Sequence, residues 1–315
     1  MSKLAGLHIN VGGVSMETPV IIASGVWPMN PSLWPKGSLE GVGAICSKAI
    51  TLEPRAGNRG NRLRETHSGL LNSIGLQNGG AVSFIENDLP ALSSSGKPVV
   101  ANIAFETLDE LRMIIERLNS CRDMIGAIEM NVSCPNVSMG GMAWGMDKGS
   151  LERSVTAARS LWEGPLWVKL SPQAPSIATA ARICETSGAQ AVVVGNTWLG
   201  MAMDNDREEP FFDRVFAGLS GPAIFPLSLR LVWEAAGSVN IPVVGCGGIC
   251  GPEEALSMFL AGASAVALGT GLFLDSRIPS STCEKLSEHM KRRSIPEIKD
   301  LAGRGRHFRR LQGGA

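Results

Sequence analysis

Tyrosine is missing from all 315 residues of this sequence, an absence with no evident physical reason. Net charge is missing too. The 29 basic residues offset 29 acidic ones, so neither nucleic acid nor an anionic membrane is expected as a partner. Long apolar runs are lacking: residues 18–26 make one of the longest, far short of the ~20 needed to cross a bilayer. With the polar start Met1-Ser2-Lys3-Leu4, no signal peptide is expected. The seven cysteines, Cys46, Cys121, Cys134, Cys184, Cys246, Cys250 and Cys283, are odd in number, scattered and without a Cys-x-x-Cys pair. That pattern argues against a disulfide framework and against an iron–sulfur cluster held by this chain, and suits a reduced, cytoplasmic protein. None of His8, His67, His289 and His307 falls at the end of a predicted strand, which disfavours a histidine mechanism and a metal site.

What is present is a regular alternation. Apolar runs rich in Val, Ile and Ala predict eight strands at 19–23, 44–49, 98–103, 127–131, 166–170, 191–195, 242–245 and 265–269. They read as near-continuous apolar runs, as parallel strands buried on both faces do. Helical patterns occupy 82–92, 107–118, 150–161, 177–187, 226–236 and 253–260. Thr107 and Glu110 have capping-box spacing, and Pro252 before Glu253 and Glu254 marks a helix start. The expected fold is α/β, a (β/α)8 TIM barrel. A doubly wound sheet would need a Gly-rich fingerprint after its first strand, which Ser24-Gly25-Val26-Trp27-Pro28 does not supply. Runs on either side of Gly12-Gly13 predict a β-hairpin capping the barrel floor. No linker or repeat is evident, so residues 1–315 are expected to form a single domain: a barrel over about 18–275, then a C-terminal helix and basic tail over 276–315. Arg304, Arg306, Arg309 and Arg310 in that tail are expected to be solvated. Irregular segments at 51–80, 134–149 and 199–222 each follow a strand, where a barrel builds its active face.

Polar residues at strand ends are the informative ones. Lys48 is expected to end strand two, Asn102 strand three and Asn131 strand four, while Lys169 lies inside strand five and Asn196 and Thr197 end strand six. An unpaired buried ammonium costs several kcal/mol. Each lysine must therefore meet an anion or polar cofactor, or else a barrel carboxylate, for which Glu129 is the one acidic residue in reach. Gly247-Gly248 after strand seven and Gly269-Thr270-Gly271 after strand eight stand where this fold binds phosphate, although turns needing positive φ would look the same. Cys134, in a loop between Asn131 and Asn136, suits a nucleophile or base, whereas Cys46, Cys184 and Cys246 suit an inert core.

The stretches Lys48-Ala-Ile-Thr-Leu-Glu-Pro-Arg55, Leu71-Asn-Ser-Ile-Gly-Leu-Gln-Asn78, Asn131-Val-Ser-Cys-Pro-Asn136, Gly218-Leu-Ser-Gly-Pro-Ala223 and Gly245-Cys-Gly-Gly-Ile249 resemble class 1 dihydroorotate dehydrogenases, and the 1B subtype in particular. The resemblance runs from about Leu7 to Asp275. It implies an FMN enzyme of pyrimidine biosynthesis that oxidises dihydroorotate to orotate. It implies FMN contacts from Ala23, Ser24, Lys48, Asn102, Asn131, Lys169 and Gly221, with the phosphate on Gly247, Gly248, Gly269 and Thr270. Lys169 would stabilise the reduced flavin. The substrate would meet Lys48, Asn72, Ile74, Asn131, Asn136, Asn196 and Thr197, with its carboxylate on the amides of Gly75 and Leu76. Cys134 would be the catalytic base and Lys48 the bridge between flavin and substrate. The implied assembly is a homodimer, joined in that subtype by an FAD/iron–sulfur electron-transfer subunit in a heterotetramer. The tail after Asp275 is longer and more basic than the family suggests.

Three rival readings remain open on sequence. A dihydropyrimidine dehydrogenase-type enzyme shares the barrel and the Ser-Cys-Pro loop, although Asn136 favours the orotate enzyme. A non-redox phosphate-binding aldolase or isomerase would use Lys169 as a Schiff base. A non-catalytic flavin carrier would bind FMN but not react.

Overall fold

The computed structural model describes residues 6–133 and 144–307. Eight parallel strands close a barrel in chain order: Val20–Ile22, Ala44–Cys46, Val99–Ile103, Ala127–Asn131, Leu166–Leu170, Ala191–Val194, Val243–Cys246 and Ala265–Leu268. Strand eight returns to strand one through Val266 opposite Val20. Every strand residue but Asn131 is buried, which explains why these runs show no polar alternation. Helices cover the outside. In Leu108–Asn119 the buried residues are Leu111, Ile114, Ile115 and Leu118, one face of a 3.6-residue period. Burial of four such side chains contributes about 1.5–3 kcal/mol each as an upper estimate.

The floor is closed by the expected hairpin, Ile9–Val11 paired with Val14–Met16. Gly12 and Gly13 turn it at φ 50° and 93°, values that suit glycine. A side chain at Gly12 would collide with the Gln190 carbonyl and the Trp167 indole. Trp167 points inward from strand five and donates to the Gly12 carbonyl at 3.3 Å.

Several expectations need correction. The helix expected at 82–92 is three pieces: Gly80–Ser83, a π turn Phe84–Asp88, and Leu89–Ser93. Pro90 has no N–H to give and crowds the carbonyl one turn back, and the wider turn accommodates it. Thr107 caps its helix by accepting from the Glu110 amide, but Glu110 reaches back to the amide of Glu106 rather than to Thr107. The segments 51–80 and 199–222 are not irregular. They supply an antiparallel sheet in the order Trp198–Met201, Phe216–Ser220, Gly69–Asn72, Leu63–Thr66, with its own small core of Leu71, Phe212 and Ala217. Nor is all of the basic tail solvated. Arg306 lies over the Trp233 ring at 4.5 Å and donates to the carbonyls of Trp233 and Ala261. A cation there satisfies acceptors at the C-terminal ends of two helices. Arg309 and Arg310 lie outside the described residues.

Candidate active site

The C-terminal ends of the barrel strands and the turns after them carry most of the predicted residues, while Asn72, Ile74, Gly75, Leu76 and Gly221 lie on the added sheet and its loops. Strand one ends at Ile22. Ala23 still donates to the Leu268 carbonyl at 2.8 Å, and Ser24 begins the open loop. Lys48 does not end strand two, which stops at Cys46. From Cys46 opposite Val100, the chain advances four residues to Ile50 while its neighbour advances three to Ile103. That extra residue is a β-bulge, a device that re-aims side chains beside functional sites. Lys48 sits in the bulge. Among the described residues it has no carboxylate partner, and burial together with the nearby Arg62 charge pushes it below the ordinary lysine range.

Lys169 differs. It is buried in strand five and pairs with Glu129 at 3.9 Å, so the carboxylate alternative weighed on sequence is realised for this lysine. Burial alone would drive the ammonium down, but Glu129 more than offsets that and holds it above its usual range. Asn102, fully buried in strand three, gives its Nδ2 to Glu129 Oε1 at 2.5 Å, while its Oδ1 has no partner among the described residues. Cys46 is more than core filler, because its thiol donates to the same oxygen at 3.3 Å.

The asparagines gather as expected where they can be seen. Asn131 Oδ1 accepts from Asn196 Nδ2 at 3.5 Å and from the Ser133 amide at 3.3 Å. Asn72 ends a strand of the added sheet opposite Gly218 and donates to its carbonyl at 3.1 Å. A side chain at Gly218 would strike Thr197 Oγ1, so Thr197 and Asn72 flank the same glycine. Cys134 and Asn136 lie outside the described residues.

Ile74 leads into Gly75 and Leu76, whose φ angles are 74° and 55°. For leucine that is a strained, left-handed conformation. It is held by Asn78, which donates to the Leu76 carbonyl at 2.7 Å and accepts from the amides of Thr51 and Gly80. Neither the Gly75 nor the Leu76 amide has an acceptor among the described residues. Successive free amides in this conformation form an anion-binding concavity.

A second set of free amides lies across the mouth. Gly247 and Gly248, at φ 117° and 74°, turn the chain after strand seven. Side chains there would strike Ser228 Oγ and the Phe225 backbone, so this turn abuts the start of the helix Phe225–Ala236. The amides of Gly247, Gly248 and Thr270 find no acceptor among the described residues. Gly269 faces open space, and Thr270 donates to Ser220 Oγ at 2.7 Å, which brings in neighbouring Gly221 at φ 94°. Two glycine turns beside a helix N-terminus suit a phosphate.

Two residues escaped sequence reasoning. Arg62 braces the loop before Gly75 through the carbonyls of Ala56 and Asn58 and the Gln77 side chain. Nothing in its spacing separates it from Arg59. Ser228, whose buried hydroxyl has no partner among the described residues, looks like any serine in an apolar helix.

A family model described as dihydroorotate dehydrogenase matches residues 6–290. Curated relatives named "Dihydroorotate dehydrogenase B (NAD(+)), catalytic subunit" include one from Trichlorobacter lovleyi, 40% identical over 297 residues, covering 94% of this chain and 97% of its own. Another, from a Thermoanaerobacter species, is 40% identical with coverage of 94% and 98%. One from Phocaeicola vulgatus is 38% identical, covering 95% and 99%. Among solved structures, a dihydroorotate dehydrogenase from Eimeria tenella in complex with ferulenol matches with a TM-score of 0.78 at 20% identity, covering 96% of this chain and 89% of that one. That likeness speaks to the fold.

Proposed function

The chain belongs to the dihydroorotate dehydrogenase family, and on that premise we propose that it oxidises dihydroorotate to orotate in pyrimidine biosynthesis, as a single FMN-binding barrel domain. The residues fit FMN at both ends. The amides of Gly247, Gly248 and Thr270 suit its phosphate, with Gly269 leaving room and Gly221 alongside through Ser220. At the other end the unpartnered Asn102 Oδ1 and the charged Lys169 suit the polar edge of its ring, with Asn131 beside them and Ala23 and Ser24 on the adjoining wall. With FMN bound, the site would have an acceptor for the hydride that leaves C6 of the substrate.

The protein positions the reactants and moves the proton. Lys48 and the free amides of Gly75 and Leu76 hold the substrate carboxylate. Asn72, Asn131, Asn136 and Asn196 offer paired donors and acceptors to the pyrimidine edge, with Ile74 and Thr197 alongside. Cys134 removes the C5 proton. The observation that carries this reading is the combination of a cation, Lys48, and two adjacent amides, Gly75 and Leu76, that have no partner among the described residues. It favours a carboxylate-bearing dihydropyrimidine over one without a carboxylate. The Schiff-base alternative fits poorly, because Glu129 keeps Lys169 protonated and a protonated amine is no nucleophile.

The relatives are named as catalytic subunits of NAD(+)-linked enzymes. We extend that to this chain as a cytoplasmic homodimer that passes electrons to an FAD/iron–sulfur subunit. Among the described residues no helix is long and apolar enough to cross a membrane. The test is orotate production by the FMN-loaded chain with an artificial acceptor, with dihydroorotate and dihydrouracil compared. Preference for dihydrouracil would move the assignment to the dihydropyrimidine enzymes, and no turnover of either would leave a carrier.

A further inference from the structure

Below the mouth, one layer into the barrel, three strands place polar side chains around a single carboxylate borne by a fourth. Glu129 is 4% exposed, and its Oε1 receives the Asn102 amide at 2.5 Å, the Cys46 thiol at 3.3 Å and the Lys169 ammonium at 3.9 Å. The proposed reaction gives Glu129 no task. A carboxylate at this depth is costly unless well paired, so its presence between Ile128 and Met130 calls for a reason.

Its first effect is on Asn102. An ionised carboxylate only accepts, so the NH2 of Asn102 must face Glu129 and the carbonyl must face away. That carbonyl is the fully buried acceptor left without a partner among the described residues. The group that completes the site must therefore offer it a donor, and the oxidised flavin ring carries one N–H, at N3. Its second effect is on charge. Lys169 and Glu129 together bring no net charge to the barrel interior, whereas Lys169 alone would bring a full positive one. Cys46 adds none, since burial, reinforced by Glu129, pushes its thiol well up and keeps it protonated as a donor.

We propose that Glu129 is a positioning residue for the flavin, fixing Asn102 with its carbonyl toward the ring N–H and restraining the pull of Lys169 on the reduced cofactor. The role rests on the FMN reading above. Glu129 acts through Asn102 and Lys169 and does not itself meet the substrate. The arrangement makes two demands separable: an acceptor for Asn102, and a negative charge beside Lys169.

Two variants separate them. E129Q keeps an acceptor and removes the charge; E129L removes both. The measurements are FMN affinity from quenching of free-flavin fluorescence, and the two-electron midpoint potential from anaerobic titration against reference dyes. E129Q is expected to retain FMN with near wild-type affinity and to shift the potential upward, because a negative charge has left the neighbourhood of a ring that gains electrons. A tenfold tighter grip on the reduced flavin relative to the oxidised one corresponds to ~30 mV. E129L is expected to hold FMN about tenfold more weakly, since Asn102 loses its anchor. An unchanged or lowered potential in E129Q would overturn the role, and that variant keeps the test alive should E129L fail to fold. Wild-type protein that takes up no FMN would sink the flavin reading itself, whereas FMN-loaded wild type with an unshifted E129Q would sink only the part given to Glu129.

Discussion

The two ends of the barrel are built on opposite terms. At the floor, demands are met internally: the Trp167 indole has its carbonyl at Gly12, and Val11 and Val14 of the hairpin are buried. At the mouth, demands are left open. Among the described residues Lys48 has no counter-ion, the Gly75, Leu76, Gly247, Gly248 and Thr270 amides lack acceptors and Asn102 Oδ1 is orphaned, and Leu76 is strained. A closed end contributes stability. An open end forgoes some of it so that ligands can complete the pairing, and barrel enzymes divide the labour this way.

The comparison can be broken in four places. Trp167→Ala at the floor should have the largest effect, about 3–5 kcal/mol of unfolding free energy. Urea melts would measure it, and turnover per folded, FMN-loaded molecule should change far less. Lys48→Ala at the mouth should do the reverse, lowering kcat by roughly 10²–10³-fold with the melting curve nearly intact. The sign of the pH effect follows from its depressed pKa. The substrate carboxylate needs the ammonium, so affinity should fall as pH rises through a value below the ordinary 10.5, and the variant should lose that alkaline limb. Asn72→Ala should raise the dihydroorotate dissociation constant about tenfold with FMN content unchanged; loss of FMN instead would misplace Asn72. Leu76→Gly should have the smallest effect. Relief of the left-handed strain should raise stability by about 1 kcal/mol, visible as a small rise in Tm, while both amides remain. A drop in Tm would mean that the Leu76 side chain matters more than its backbone.

The barrel was readable because each strand is a local run. Leu166–Leu170 and Ala127–Asn131 have the bounds the apolar pattern implied. The hairpin was readable because Gly12-Gly13 declares its turn. The added sheet was not, since Asn72 meets Gly218 across 146 residues of chain and short strands such as Leu63–Thr66 carry no pattern of their own. In the site, residue types at strand ends pointed to Lys48, Asn102, Asn131 and Lys169. Glu129 was visible as a candidate partner, but not which lysine it meets: that depends on a bulge of one residue at Lys48 and on Glu129 lying on the strand beside Lys169. The orientation of Asn102 depends on that same carboxylate, so it too needed the third dimension.

The central claim is that the open mouth is completed by FMN and dihydroorotate together. Anaerobic addition of dihydroorotate to the FMN-loaded chain, followed in the visible spectrum, tests it most directly. The account predicts that the flavin absorbance bleaches in proportion to the substrate added, up to one equivalent. A protein that takes up FMN yet stays yellow with excess dihydroorotate would contradict it.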